Sequence, residues 1–448
     1  MTIRGTDQQE AYAFPDQLVE EILARWHAMP HSESAPVLPP THRLKRLLEV
    51  AYVASLEINE GRAITFTLCC TPEGELVTRG ADEGQVETWL FSSGRDYDVA
   101  ELSRLATALD LNSAAMWVEF PEDPDAPMRV RGLLNLGFSW AIARQGFAAR
   151  HEALPHALTL RIDGPGSITV YQNQAALLAL ASGRLQGSQS LPDSLFGVHG
   201  LIDEGLGYFT ERLAQQNITI EPPSVELLRL AYLNVLVSTI NGIKRLGHGG
   251  ALVLAAEASP ILKPRRNLVK PKYRLDGAPF FLSEHFLSAA ASRFLRASLA
   301  KQLDPETIAE MPTTEYATRL QQLHLLDLEA RTSSQRILES SNFVANLSGT
   351  DGATVMRTNL AVVGFGAEIA AEAIETPPVY EVWEGSKVRR RLDLEQFGMR
   401  HRSAMRLCAA APDVAVFVIS QDGGVSLIFN RDGKVCIRRN ITTLNANM

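Results

Sequence analysis

Two triplets in the last quarter of the chain have residue types that do chemistry together. Asp351-Gly352-Ala353 puts a carboxylate on a glycine turn, a good place for a divalent metal. Arg400-His401-Arg402 gathers two guanidiniums and an imidazole, a good place for phosphate oxygens. Each triplet sits beside a strand-like apolar run, and together they point to chemistry on a nucleoside triphosphate. Each also has a plainer reading. Asp-Gly is a common turn pair, and an Arg-His-Arg run at a helix start is commonly a solvated face. His248 before Gly249 reads as a helix C-terminal residue rather than a ligand. Trp117 and Trp140 read as core, and Lys263, Arg265, Arg266, Lys270, Lys272 and Arg274 as the charges of a solvated loop.

The elements around these triplets follow from periodicity. In the first half, helices are expected at 17–29, 43–58, 98–110, 175–185 and 195–215, with a proline-stiffened connector at 30–41. Strands are expected at 63–70, 113–120, 128–136 and 157–163, the last turning at Gly164-Pro165-Gly166 into Ser167–Tyr171. Glu221-Pro222-Pro223-Ser224 breaks the pattern, with Ser224 as a candidate cap for a helix over 225–246. Gly250–Ala255 then reads as a buried strand, 261–274 as a basic surface loop, and 283–302 and 314–345 as helices. Residues 354–365 read as two strands turning at Thr358-Asn359, and 370–396 as a surface excursion. A helix over 398–410 precedes strands at 414–419 and 425–429 and a hairpin turn at Asn430-Arg431-Asp432-Gly433. The fold class expected is α/β: a C-terminal domain with a central mixed sheet flanked by helices, preceded by an α+β domain. The boundary falls at the proline break, giving domains over 1–215 and 222–448.

Composition narrows the function classes. The net charge of −8 argues against bulk nucleic-acid or anionic-membrane binding, though not against one basic pocket. Cys69, Cys70, Cys408 and Cys436 show no C-x-x-C spacing, so neither structural zinc nor a disulfide framework is expected. Residues 1–16 lack a signal-peptide core, and no run approaches the ~18–20 apolar residues of a membrane span. These features lead to the expectation of a soluble cytoplasmic protein.

Four segments, in order, resemble the diadenylate cyclase (DAC) domain, which makes cyclic di-AMP. They are a long helix running into Gly250-Ala251-Leu252-Val253-Leu254, then Leu347-Ser348-Gly349-Thr350-Asp351-Gly352-Ala353 followed by a hairpin, then Gly398-Met399-Arg400-His401-Arg402-Ser403-Ala404, and Val418-Ile419-Ser420-Gln421 with the terminal hairpin. The resemblance covers roughly the second half of the chain. Insertions near 258–330 and 370–396 depart from the family, and Met399 stands where it usually has threonine. Thr350 stands where membrane-linked members often have a metal-assisting histidine. The N-terminal half resembles the probable sensor domain of the DACNV type, on Leu102–Asp110 and the hairpin 158–171.

The resemblance implies a cyclase that condenses two ATP into cyclic di-AMP and two pyrophosphates, regulated by the N-terminal domain. It implies Asp351, Arg400, His401 and Arg402 as catalytic residues, with Asp351 holding Mg²⁺ or Mn²⁺. Gly250, Ala251, Leu252, Gly352, Ala353, Ser403 and Ser420 would contact ATP, with Gly352 and Ala353 leaving room for the sugar-phosphate. It also implies a homodimer or higher even oligomer, since two ATP molecules must meet face to face. The alternatives are a DAC-like nucleotide-sensing module without turnover, and a related nucleotidyltransferase using another nucleotide.

Overall fold

Apolar runs, some alternating and some unbroken, build two mixed sheets, and helices of period 3.6 flank them, as the α/β reading requires. The computed structural model describes residues 12–28, 35–59, 61–75, 86–137, 140, 156–172, 175–181, 183–187, 195, 197–262, 268–275, 281–303, 307–308, 311–370, 378–382, 388–421, 423–441 and 443. Lys263, Arg265 and Arg266, and parts of the connector 30–41 and of the excursion 370–396, lie outside these residues. The chain divides into two units, Met1–Arg144 with Glu152–Ser188, and Gln145–His151 with Gln189–Met448.

In the first unit a short ribbon pairs β1 (Ile58–Asn59) with β2 (Arg62–Ala63). The main sheet contains β3 (Phe66–Pro72), β4 (Glu87–Asp96), β5 (Ala114–Phe120), β6 (Arg129–Asn135), β7 (Leu158–Gly164), β8 (Ser167–Gln172), β9 (Ala175–Ala181) and β10 (Arg184–Gly187). Its order is β10-β9-β8-β7-β3-β5-β6-β4, antiparallel except for the pair β3–β5. Alternate residues of β3 and β7 (Phe66, Leu68, Cys70; Leu158, Leu160, Ile162) share a core with Leu18 and Ile22 of the helix Pro15–Trp26. Leu44 and Leu47 of the helix Thr41–Ser55, and Leu102 of the helix Val99–Ala106, complete that face. The intervening residues of the same strands face the other way. The segment 175–185, expected as a helix, is a hairpin turning at Gly183, whose φ is +69°. Its unbroken apolar run has no period of its own, and pairing with β8 decides its conformation.

The second unit has a nine-stranded sheet of order β12-β14-β13-β11-β17-β18-β19-β15-β16. The strands are β11 (Gly250–Ala255), β12 (Val269–Arg274), β13 (Ala353–Arg357), β14 (Val362–Ile369), β15 (Val379–Val382), β16 (Val388–Leu392), β17 (Val414–Ile419), β18 (Val425–Arg431) and β19 (Lys434–Arg438). The central strand β11 runs parallel to β13 and antiparallel to β17, and every residue in it is buried. The helix Met399–Ala410 supplies Ala404, Met405, Leu407 and Cys408 to the core on one face. The helix Pro222–Arg245 lies against β11 and β17. It begins with both prolines and is preceded by Glu221, so Ser224 is inside the helix rather than its cap.

Three further expectations change. The basic stretch ending at Arg274 is not wholly a loop, because Val269–Arg274 pairs with β14 as an edge strand. The excursion 370–396 contains β15 and β16, and β15 runs parallel to β19. The boundary also moves: helix His199–Gln215, expected in the first domain, belongs to the second unit. There Phe209 is fully buried against Tyr232 and Phe286, with ring centroids 6.3 and 4.6 Å away.

Candidate functional site

Two long helices end side by side and deliver the turns that carry the candidate residues. Gly242, near the end of Pro222–Arg245, meets Ala345, near the end of Thr313–Leu347. A Cβ on Gly242 would fall 2.5 Å from that of Ala345. One turn further, Arg245 Nη2 donates to Asn342 Oδ1 at 2.7 Å. The first helix then turns through Gly247 and Gly249, both at positive φ, into β11. The second closes through Ser348, whose hydroxyl donates to the Ala345 carbonyl at 2.6 Å, and reaches β13 through Asp351 and Gly352.

Strand register then sets a row of residues at one sheet end. Ala251 is level with Ala353, and Gly250 with Ile419. Gly249 stands one residue before β11, Asp351 two before β13 and Ser420 one after β17, so the three lie just beyond the same ends of adjacent strands. Arg400 comes over the middle of this row. Its Nη1 donates to the His248 carbonyl at 3.2 Å and lies 2.9 Å from where a Gly249 Cβ would stand. Asp351, Arg400 and Ser420 are thus gathered from three distant segments.

The other arginine and the histidine differ in their surroundings. Arg402 is exposed, and its side chain has no hydrogen-bond or ion-pair partner among the described residues. His401 is half-buried against β18, with Nε2 3.3 Å from Ser426 Oγ and its ring 5.6 Å from that of Phe397. Both lie in the first turn of Met399–Ala410, which carries no acidic residue and no side-chain cap. The free N–H groups and positive dipole end there favour an anion. Ser403 and Ser420 are half-buried.

Gly250, Ala251, Leu252 and Ala353 are buried in the strands. Gly352, expected to leave space for a sugar-phosphate, has that space filled from within. At φ +121°, its missing Cβ would lie 2.5 Å from the Gly366 carbonyl carbon and 2.7 Å from Ala367 N. Its glycine character is therefore demanded by the close approach of β14.

Asp351 is the one carboxylate that the site offers among the described residues. Mg²⁺ usually takes one or two carboxylates together with substrate phosphates. The Asp351 carboxylate is exposed and has no hydrogen-bond or ion-pair partner among the described residues. No group of three or more His, Cys, Asp or Glu side chains gathers among the described residues.

Sequence reasoning missed two neighbours of the site. His248 contributes its carbonyl to Arg400, and its Nδ1 lies 2.6 Å from the Gly249 carbonyl. Lys272, read as a loop charge, sits level with Gly366 on the paired strand β14. A Cβ on Gly366 would be 3.4 Å from the Lys272 Cβ and 3.5 Å from the Asp351 carbonyl. The Gly-His-Gly-Gly run was the available signal for the first; nothing in the basic stretch distinguished Lys272.

A family model described as "Probable sensor domain DACNV" matches residues 33–135, within the first unit. The match includes the Leu102–Asp110 run but neither the hairpin 158–171 nor the Asp351 and Arg400 segments. No curated protein matches the chain. No helix among the described residues is long and apolar enough to cross a membrane.

Proposed function

We propose that the second unit is a diadenylate cyclase domain and that the first regulates it. The observation that carries the reading is the row Asp351–Gly249–Ser420 with Arg400 laid over it, which puts a carboxylate and a guanidinium at one end of the central strands. The DACNV sensor domain is found in diadenylate cyclase-associated proteins, and this supports a regulatory first unit.

In the proposed reaction each ATP 3′-hydroxyl attacks the α-phosphorus of the other ATP. Two P–O–C bonds form, two pyrophosphates leave, and each hydroxyl proton goes to solvent or phosphate. Arg400 and Arg402 hold triphosphate oxygens with charge-assisted hydrogen bonds. Arg400 is pre-oriented by the His248 carbonyl, while Arg402 is free to turn toward the substrate. The N–H groups at the start of Met399–Ala410 add donors for the same anion, and Ser403 and Ser420 add hydroxyls. His401, supported by Ser426 and Phe397, donates to phosphate or orients an arginine. Asp351 would hold Mg²⁺ or Mn²⁺, which neutralises phosphate charge and favours the attacking oxygen. One domain binds one ATP, so turnover requires two copies face to face, and the active form is a homodimer or a multiple of one.

The test is to incubate the purified chain with ATP and Mn²⁺ or Mg²⁺ and to seek cyclic di-AMP by mass spectrometry. ATP binding without product would support the second reading, a nucleotide-sensing module. Met399 favours that reading, because it puts an apolar side chain, 75% exposed, on the first helical residue, where the family has a hydroxyl. Product from another nucleotide would support a related nucleotidyltransferase.

A further inference from the structure

The His248 side chain has no part in the reaction proposed above, yet its surroundings fix its chemistry. It is half-buried in the turn into β11, between Gly247 and Gly249. Its Nδ1 lies 2.6 Å from the Gly249 carbonyl oxygen. A carbonyl only accepts, so Nδ1 carries the proton and donates. In the neutral ring, Nε2 is then left with a bare lone pair. Metal-binding histidines are held in this way, with one ring nitrogen donating to a backbone carbonyl and the other turned to the ion. Among the described residues, Nε2 has no hydrogen-bond or ion-pair partner. His401 differs, because its Nε2 faces the Ser426 hydroxyl at 3.3 Å and its ring packs on Phe397.

Nε2 reaches across to the turn that carries Asp351. It lies 3.8 Å from where a Gly349 Cβ would stand, two residues before Asp351. Gly349 has no side chain to cover it, and both Gly349 and Asp351 are exposed. Thr350, the residue between them, is turned elsewhere. Its Cγ2 is 3.0 Å from the Cβ position of Gly366 on β14, which is across β13 from β11. Neither residue 349 nor residue 350 therefore fills the space between the two turns. An imidazole borders that space on one turn, and the other turn carries a carboxylate.

Charge and donor type decide what belongs there. Arg400, bound to the His248 carbonyl, brings a guanidinium to the same turn, so a cation held there needs anionic ligands as well. Asp351 supplies one, and substrate phosphates supply the rest. Imidazole suits transition-metal ions, whereas Mg²⁺ takes oxygen ligands and gives up its waters reluctantly. We propose that His248 Nε2 and the Asp351 carboxylate are two ligands of one divalent metal, and that the imidazole makes the site prefer a transition-metal ion such as Mn²⁺ to Mg²⁺. This pair rests on the reading of Asp351 as the metal's carboxylate and adds the ligand that sets the metal's identity.

The probe is Mn²⁺ with inorganic tripolyphosphate, which supplies phosphate oxygens and no nitrogen. Pulsed electron paramagnetic resonance on the full chain reads the nuclei bound to the ion. The expected result is the nitrogen coupling of a directly bound imidazole, absent in His248→Gln and retained in His401→Gln. Mn²⁺ affinity, read from the free-ion signal, should fall by about tenfold or more in His248→Gln and in Asp351→Asn, since losing even an outer-shell partner costs that much. Mg²⁺ should displace Mn²⁺ from His248→Gln at a lower excess than from the native chain. The native spectrum needs no variant, so it decides the matter even if His248→Gln folds poorly. No saturable Mn²⁺ binding, Mn²⁺ bound without a nitrogen coupling, or a coupling that survives in His248→Gln would overturn the proposal. So would Mg²⁺ competing equally well in the native chain and the variant. His248 would then be a helix-terminal residue whose Nε2 meets water. Cyclic di-AMP formation from ATP is measured separately. The coupling without product would keep this metal site and remove the cyclase; product without the coupling would keep the cyclase and remove His248 from its metal.

Discussion

Gly242 and Ala345 touch where two helices end, leaving 2.5 Å between Ala345 Cβ and any Cβ that Gly242 could carry. This contact fixes the separation of the His248 turn from the Asp351 turn, so the packing of two helices sets the width of the site. Gly242→Ala tests it through a sign. In a slack helix the change would stabilise by about 1 kcal/mol through propensity. Here overpacking of about 1–3 kcal/mol opposes that gain, because a Cβ fixed to a backbone cannot swing aside. Urea denaturation should show net destabilisation; a more stable variant would mean that the helices are free to separate.

Asp351→Asn should abolish cyclic di-AMP formation and leave the fold unchanged. The carboxylate is exposed and without a protein partner among the described residues, so its neutralisation removes nothing that holds the turn. A surface change of this kind alters stability by about 0.5 kcal/mol or less. Activity and denaturation midpoint measured on the same preparation check both halves, and full turnover would remove Asp351 from the mechanism.

Arg400 and Arg402 should separate by stability. Arg400 holds the His248 carbonyl, whereas Arg402 holds nothing among the described residues. Arg402→Ala should weaken ATP binding by about 1.5–3 kcal/mol, the scale of a hydrogen bond to a charged group, at unchanged thermal midpoint. Arg400→Ala should weaken binding and also lower the midpoint. Calorimetry with unchanged ATP affinity in both would reduce the triplet to a solvated helix start.

The sequence carried the middle of the second sheet more clearly than its edges. Gly250–Ala255 and Val414–Ile419 are unbroken apolar runs, and both are central strands. The turn after Arg431 has Asp432 and Gly433 at φ +51° and +76°, as the Asp-Gly pair demands. Edge strands carry no such mark. Val269–Arg274 contains Pro271 and alternating charges, which an edge tolerates but a loop also shows. Glu87–Asp96, at the edge of the first sheet, gave no strand expectation for the same reason: most of its residues face solvent. In the site, residue types were legible, while the helix contact at Gly242 and the coverage of Gly352 by β14 required the chain's long-range packing.

Glu101 gives the first unit a pH signature. The Arg95 hydrogen bond, at 2.8 Å, leads in holding its carboxyl below the usual range, and Arg104 adds to it. A depressed folded pKa stabilises above the unfolded value of about 4.3 and is lost as pH falls through the folded value. Glu101→Gln should therefore cost most near neutral pH, and its stability should converge on that of the parent chain below about pH 4. Denaturation at several pH values checks this. A pH-independent difference would assign the loss to packing instead.

The last prediction concerns where the second unit can be cut. A fragment starting at Pro222, the boundary that composition marks, removes the helix His199–Gln215. That helix buries Phe209 and Leu213 completely, and Phe209 packs against Tyr232 and Phe286. Thr358 Oγ1 donates to Glu204 Oε2 at 3.2 Å, tying the same helix to the turn after β13. Loss of one such buried phenylalanine costs about 3–5 kcal/mol, a large share of the stability of a domain. The Gln189–Met448 fragment should therefore be soluble and cooperatively folded, while the fragment from Pro222 should aggregate or unfold at lower denaturant. Equal stability of the two would mean that the helix only decorates the unit. If the longer fragment folds, its cyclic di-AMP formation should differ from that of the full chain at matched protein concentration, since dimerisation itself sets activity. Identical activity across candidate ligands of the first unit would remove the regulatory role and leave that unit to localisation or partner binding.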